Sequence, residues 1–516
     1  MAEDRRSCFV GTDIGTLGTK SVLVDLEGRI LAQDYAEYGV LTPQPLWAEQ
    51  WPEVWFEAVC RTIRNTLAKA NVPAARVAGA CISGLYGGSG IPCDAEGKPL
   101  RPCLIWMDRR ATREVAWVME NVGVERVLRI TGNYVDSYHG FTKILWIKNN
   151  EPEVWKRIRW LMTPYGYCVF RLTGAVSLDY CSAGNIAGIF DLQKRDFSPE
   201  LLEVMGIPRR FFPESLAESW EVVGRVTREG AALTGLAEGT PVCPGGVDCV
   251  VATLSAGGIN VGDQVAMIGT SMAYGVVHDG SRCSPNLVNM PHVTQARELV
   301  YAFGGVTTAG GILKWFRDQF GQTEKLLGGL VEVDPYDVLS LQASRVGPGS
   351  DRLLVLPYFM GERAPIWDVD ARGTLFGLTL FHTRGHVFRA FMEAVAYALR
   401  ICVEFSQEIG VPLSPELKLV GGATRSPLWK QIFAEITGYP ILCVTGGGEA
   451  PYGDALLAAK GVGAVKDFSV INDWLAFDPP VVPDPARAKI YDLYYREWKA
   501  LYESLKEPFA RLQRLP

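Results

Sequence analysis

The chain has 516 residues, 48% of them hydrophobic and 21% charged, which are the proportions of a folded globular protein and far from those of a disordered one. Lys plus Arg number 51 against 57 Asp plus Glu, and the resulting net charge of -6 offers no general attraction to nucleic acid or to anionic lipid. At about 150 residues per domain, the length suggests about three domains, each able to bury its own core.

Residues 1–7 carry both signs of charge and lead into an apolar stretch too short for a signal-peptide core. No later run reaches the roughly 18 apolar residues of a membrane span, so a cytoplasmic location and no membrane partner are expected. Residues 8–25 then place two β-branched, apolar runs around a turn rich in Gly and Thr, and Asp25-Leu26-Glu27-Gly28-Arg29 with Ile30-Leu31-Ala32 adds a polar turn and a third strand. This is the pattern of a β-meander. Residues 55–68 set Trp55, Val59, Ile63 and Leu67 near one helical face, residues 77–82 and 103–106 read as short strands, and Phe197-Ser198-Pro199 starts a helix within 196–205. The mixture argues an α/β fold.

Gly and Pro concentrate in residues 239–248, where a hinge between two halves is expected. Beyond it, residues 264–280 repeat the opening plan of strand, Gly269-Thr270 turn, strand and polar turn, an echo of pattern rather than of identity. Residues 417–420 form a strand entering Gly421-Gly422-Ala423, with Ser426 and Pro427 as N-cap and first residue of a helix. A last helix starts at Asp484 and Pro485 in the same way. The 12 cysteines are scattered without a CxxC pair and are expected to be reduced core residues. His382 and His386 have a zinc-like spacing but lack the Glu of HExxH, so they are expected to be loop or surface histidines.

A Gly-Thr hairpin turn offers backbone N–H groups and hydroxyls to phosphate oxygens, although tight hairpins use glycine in any case. Asp13 sharpens the first turn, because a carboxylate beside bound phosphates calls for a divalent cation, here magnesium, between them. The GxxxxGK[ST] pattern of a P-loop is absent, and residues 11–18 do not fit GxGxxG. At 421–423 the missing side chains suit either a flat slot for adenine or a close strand-to-helix crossing.

Several motifs in order then carry a resemblance. They are residues 11–16, Trp106-Met107-Asp108-Arg109-Arg110, Gly245-Gly246-Val247-Asp248, Ile268-Gly269-Thr270-Ser271, Gly361-Glu362-Arg363-Ala364-Pro365, residues 372–378 and Gly421-Gly422-Ala423. Over residues 10–463 the chain resembles the FGGY carbohydrate kinases of the actin-like ATPase superfamily. The resemblance implies an α/β protein of two ribonuclease H-like domains, here 1–255 and 256–516, with ATP, Mg2+ and a sugar in the cleft between them. It implies that Asp13 helps hold the metal, and that Gly15, Thr16, Thr19 and Lys20 line the first phosphate turn and Gly269, Thr270 and Ser271 the second. Gly310 falls where the backbone approaches the phosphates, and Gly422, Ala423 and Ser426 fall at the adenosine pocket.

By the same resemblance Asp248 is the catalytic base, and the acceptor is read by Leu85, Tyr86, Trp106, Asp108 and Tyr138, with Lys143 in a structural role. Glycerol kinases carry Arg-Glu at the positions of Leu85 and Tyr86, which disfavours glycerol. Many xylulokinases carry Met-His there and Asn at the position of Cys249. The expectation is ATP-dependent phosphorylation of a terminal hydroxyl of a small sugar, foremost a ketopentose such as D-xylulose. The alternatives are another ketose or a polyol, or a non-catalytic sensor of sugar or nucleotide, against which Asp13 and Asp248 argue. A symmetric homodimer is the default assembly.

Overall fold

The computed structural model describes residues 7–515. In chain order, the elements that frame the site begin with β1 (Cys8–Ile14), β2 (Gly18–Asp25), β3 (Ile30–Glu37), α1 (Pro52–Ala70) and β4 (Val77–Gly84). A mainly helical stretch follows, with α2 (Gly140–Asn150), α3 (Pro164–Thr173) and α4 (Tyr180–Asn185). Next come β5 (Gly224–Arg225), β6 (Pro241–Cys243), α5 (Asp248–Ser255), β7 (Gln264–Ile268) and β8 (Met272–His278). Then follow α6 (Gly310–Phe320), α7 (Pro335–Ser344), α8 (Arg384–Gln407), β9 (Leu417–Val420) and α9 (Pro427–Thr437). The last are β10 (Ile441–Thr445), α10 (Ala450–Gly461) and α11 (Pro485–Leu512).

These elements form two compact units, each α/β. The first runs up to Val261 and adds Val277–Ala302 and Gly446–Ala476; the second takes Gly262–Val276, Phe303–Thr445 and the chain from Phe477 onward. The chain thus passes between the two units several times.

The first unit is built on a sheet of order β5-β6-β4-β1-β2-β3. β1 pairs antiparallel with β2, with Asp13 opposite Lys20, and parallel with β4, with Asp13 opposite Ser83. A strand paired on both edges and covered on both faces must be apolar almost throughout, and β1 is buried at every position except Asp13, which is half-buried. One face carries α1, whose Trp55, Val59, Ile63 and Leu67 are buried as the helical spacing predicts. Each such side chain contributes about 2 kcal/mol relative to exposure. The other face carries α10, so close that a Cβ on Gly11 would lie 1.8 Å from the Pro451 carbonyl oxygen. Only glycine fits there.

The second unit repeats the plan. β7 pairs antiparallel with β8 and parallel with β9, which pairs parallel with β10. Its core gathers Phe316, Phe388, Phe391, Trp429 and Trp498 around α8. The N-caps read from sequence hold: Ser426 accepts from the Trp429 amide at 3.3 Å, and Asp484 from the Ala486 amide at 2.8 Å.

Three sequence expectations change. Residues 239–248 are not a hinge: they form β6, hydrogen-bonded parallel to β4, then a turn into α5, all inside the first unit. Residues 103–106 form a strand only at Cys103–Leu104. His386 is buried in the capping box that starts α8 with Thr383, and its Nε2 lies 3.0 Å from Asp351, so a helix start rather than a loop explains it. All 12 cysteines are free, and ten are buried.

Candidate active site

The β1–β2 turn closes through a hydrogen bond from the Gly15 amide to the Gly18 carbonyl, 2.9 Å. Asp13 and Lys20, opposite each other, share the sheet face that meets α10, and Lys20 pairs with Glu449 at the start of that helix. One carboxylate oxygen of Asp13 is buried with no hydrogen-bond partner. Burial first, then the carboxylates of Asp248 and Glu449, push the Asp13 carboxyl well above the usual carboxylate range, while Lys20 and Ser83 pull it back. Crowded anions around an unsatisfied buried oxygen are a place for a cation.

Asp248 opens α5, where the helix dipole favours an ionised carboxylate, and its Oδ1 accepts from the Cys249 amide at 2.6 Å. The turn before it is held from below: the Gly84 amide donates to the Gly246 carbonyl at 3.2 Å, and a Cβ on Gly245 would lie 2.2 Å from the Ile82 carbonyl oxygen.

Thr16 is half-buried, and its hydroxyl accepts from the Trp106 indole at 3.0 Å, leaving its own proton to be donated. Thr19 departs from its expected role as a side chain of the turn. It is fully buried with its hydroxyl 3.1 Å from that of Tyr38, because strand alternation turns it to the face opposite Asp13 and Lys20.

On the acceptor side, Asp108 is a second correction. It is fully buried, and both oxygens are occupied: Arg110 reaches Oδ2 at 2.7 Å and Oδ1 at 3.0 Å, and the Ala48 amide reaches Oδ2 at 2.8 Å. This carboxylate anchors the loop and has no oxygen left for a hydroxyl. Leu85 is also a support, fully buried in the core beneath β1 and β4. Tyr86 and Tyr138 come together, ring centroids 5.5 Å apart, beside Gly140, where a Cβ would lie 2.5 Å from the Tyr86 hydroxyl. Lys143 is buried against them, its ammonium on the Tyr138 carbonyl, and burial pulls its pKa down to about 7.

In the second unit, the predicted residues converge. Gly269, Thr270, Gly310, Gly422, Ala423 and Ser426 all line one cavity of about 340 Å³, a volume in the range of ligand sites; Ser271 does not border it. The Gly310 and Gly311 amides donate to the Gly269 and Thr270 carbonyls, both at 2.9 Å. A Cβ on Gly310 would meet the Gly269 oxygen at 2.5 Å, so glycine there brings α6 onto the turn rather than offering a free donor. Thr270 is left exposed at the tip.

Sequence reasoning missed the apolar wall of this cavity, Tyr336, Phe388 and Met392. It also missed Glu449 and Asp454 in the first unit. Asp454 is fully buried in α10 and accepts from the Ser83 hydroxyl at 2.6 Å. A lone Asp within the run Ala450 to Ala459 was the signal that marked it.

Residues 8–255 match the model of the FGGY family of carbohydrate kinases, N-terminal domain, and residues 265–462 that of the C-terminal domain. A xylulose kinase of Lactococcus lactis is 29% identical over 96% of this chain and 97% of its own length. A gluconokinase of Bacillus subtilis is 30% identical over 94% of this chain and 93% of its own. The crystal structure of xylulose kinase from Rhodospirillum rubrum is 31% identical and superposes with a TM-score of 0.85 over 97% of this chain and 99% of that one.

Proposed function

The chain belongs to the FGGY family of carbohydrate kinases, with the actin-like fold of that family, and on that premise we propose that it transfers a phosphoryl group from ATP to a terminal hydroxyl of a ketopentose such as D-xylulose. Sugar kinase activity follows from the family; the choice of sugar rests on one observation. Two cations near the loop that follows β4 are ion-paired, Arg109 with Asp136 and Arg110 with Asp108 and Glu49, and a third, Lys143, sits on the Tyr138 carbonyl with its charge weakened by burial. An aldonate such as gluconate needs an uncommitted cation for its carboxylate, because an unpaired buried charge is costly. A neutral ketose needs none.

Asp248 acts as base. As the acceptor oxygen bonds to the γ-phosphorus and the bond from that phosphorus to the bridging oxygen breaks to release ADP, the acceptor proton passes to the Asp248 carboxylate, help worth about 10²- to 10⁴-fold. Asp13 fits a magnesium site. Its partnerless oxygen lies among carboxylates, and among the described residues no group of three or more His, Cys, Asp or Glu is placed to hold a metal. That suits an ion that takes one or two carboxylates and fills its shell with phosphate and water. When bound, the ion neutralises charge on the transferring group. In the second unit, Thr270 supplies a hydroxyl to the phosphates, and the slot at Gly422 and Ala423, walled by Tyr336, Phe388 and Met392, takes adenosine. No helix among the described residues is long and apolar enough to cross a membrane, and twelve free cysteines suit a reducing cytoplasm.

The test is a coupled ADP-release assay over pentuloses, hexuloses, polyols and aldonates. D-xylulose or another ketopentose should give the highest kcat/KM. A higher value for gluconate would overturn the substrate reading, and no sugar above the water background would favour the sensor.

A further inference from the structure

Beneath the turn that carries Asp248 lies a buried chain of hydroxyls ending on a carboxylate. Asp179 caps α4: its Oδ1 accepts from the Ser182 amide at 2.8 Å, and its Oδ2 accepts from the Ser182 hydroxyl. The Ser182 hydroxyl in turn shares a hydrogen bond with the phenol of Tyr165 on α3. All three side chains are at most 2% exposed. Burial raises the Asp179 pKa to about 7. In the ionised form Ser182 donates to Asp179, and because one hydroxyl proton cannot serve two neighbours, Tyr165 then donates to Ser182, so the carboxylate end sets the polarity of the chain.

The Asp179 end of this chain lies beside the catalytic turn, and the Tyr165 end beside the strand end that holds the turn. A Cβ on Gly246 would lie 3.7 Å from Asp179 Oδ1, and one on Gly84 would lie 3.3 Å from the Tyr165 ring; Gly84 and Gly246 are joined by a hydrogen bond of 3.2 Å. Burial first, then the nearby Asp179 and Asp248 carboxylates, push the Tyr165 phenol well above its ordinary range and keep it protonated. Tyr165 and Ser182 also line a small cavity of about 20 Å³ together with Tyr86, on the loop that follows β4.

We propose that Asp179, Ser182 and Tyr165 form a hydrogen-bond wire that positions the turn at residues 245–248, and with it the Asp248 carboxylate, for proton transfer from the sugar. They are positioning residues, acting through Asp248, so the proposal rests on the reading of Asp248 as base. Nothing in the opening motifs points to them.

Asp179→Asn and Tyr165→Phe test it with little threat to folding. Asn keeps an acceptor for the Ser182 amide but turns the second position from acceptor to donor, which reverses the wire. Phe keeps the ring against Gly84 and removes only the hydroxyl. With the best acceptor sugar of the panel, each variant should lose about 10- to 100-fold in kcat, the scale of a misplaced catalytic group, with KM for ATP and melting temperature near wild type. The double variant should fall no further than the worse single, because the two changes break one unit. Unchanged kcat in Tyr165→Phe, or losses that multiply in the double variant, would overturn the wire. Asp248→Asn, measured in parallel, separates the two ideas: if it is inactive while the wire variants are normal, the base stands and the wire falls, and if it is active, the base reading itself has failed.

Discussion

The two Gly-Thr turns begin from nearly the same sequence plan and end in opposite states. In the first unit the side chains around the turn are engaged: Thr16 by Trp106, Thr19 by Tyr38 and Lys20 by Glu449, around an Asp13 whose own oxygen has no partner. In the second unit the engagement is through the backbone, Gly269 and Thr270 accepting from the start of α6, and the Thr270 side chain is bare. One strand-turn-strand unit thus serves two ends. A carboxylate at the strand end makes a charged site that must be held rigid by its neighbours, whereas a glycine backed by a helix start leaves an open edge for an anion.

If that contrast is right, the largest effect of a single change comes at the charged turn. Asp13→Asn should cost on the order of 10²-fold in kcat, since it removes the ligand for a charge-neutralising ion. In metal-free buffer the same variant should melt higher than wild type, because it relieves the crowding of Asp13 with Asp248 and Glu449. A lower melting temperature would show that the crowding is not costly. Next comes Gly310→Ala, which pushes α6 off the second turn. Titrating ATP at saturating sugar should show KM for ATP raised about tenfold, with KM for sugar unchanged; a change confined to the sugar would break the assignment of the second unit to the nucleotide.

Two glycines sharpen the comparison through stability alone. Gly11→Ala forces a Cβ into the α10 backbone and should destabilise by about 1–3 kcal/mol in urea unfolding, the usual cost of overpacking. Gly269→Ala, where nothing lies within 4 Å, should stay within about 0.5 kcal/mol. Between them, Thr16→Val removes one neutral hydrogen bond to Trp106, and its effect on kcat/KM should be only several-fold, about 1 kcal/mol.

Local chemistry was legible in the chain. The meander, the α1 face, the caps at Ser426 and Asp484, and the glycines at 269, 310 and 422 each depend on neighbours close in sequence or on a motif with its own geometry. What escaped depends on distant partners. Asp108 looks like a ligand until Arg110 and the Ala48 amide are seen to fill it. Glu449 and Asp454 reach Lys20 and Ser83 across more than 370 residues of chain. The glycines and prolines at 239–248 mark a strand and a tight turn into α5, and composition alone does not tell that from a hinge. Asp179 lies in no motif, and only burial shows what it holds.

The central claim is that Asp248 removes the acceptor proton in a reaction whose nucleotide is held elsewhere. Asp248→Asn, assayed for sugar phosphorylation and in parallel for ATP binding by calorimetry, tests it most directly. The account predicts a loss of about 10²-fold or more in kcat with ATP affinity within twofold of wild type. Near-normal turnover, or loss of ATP binding together with activity, would contradict it.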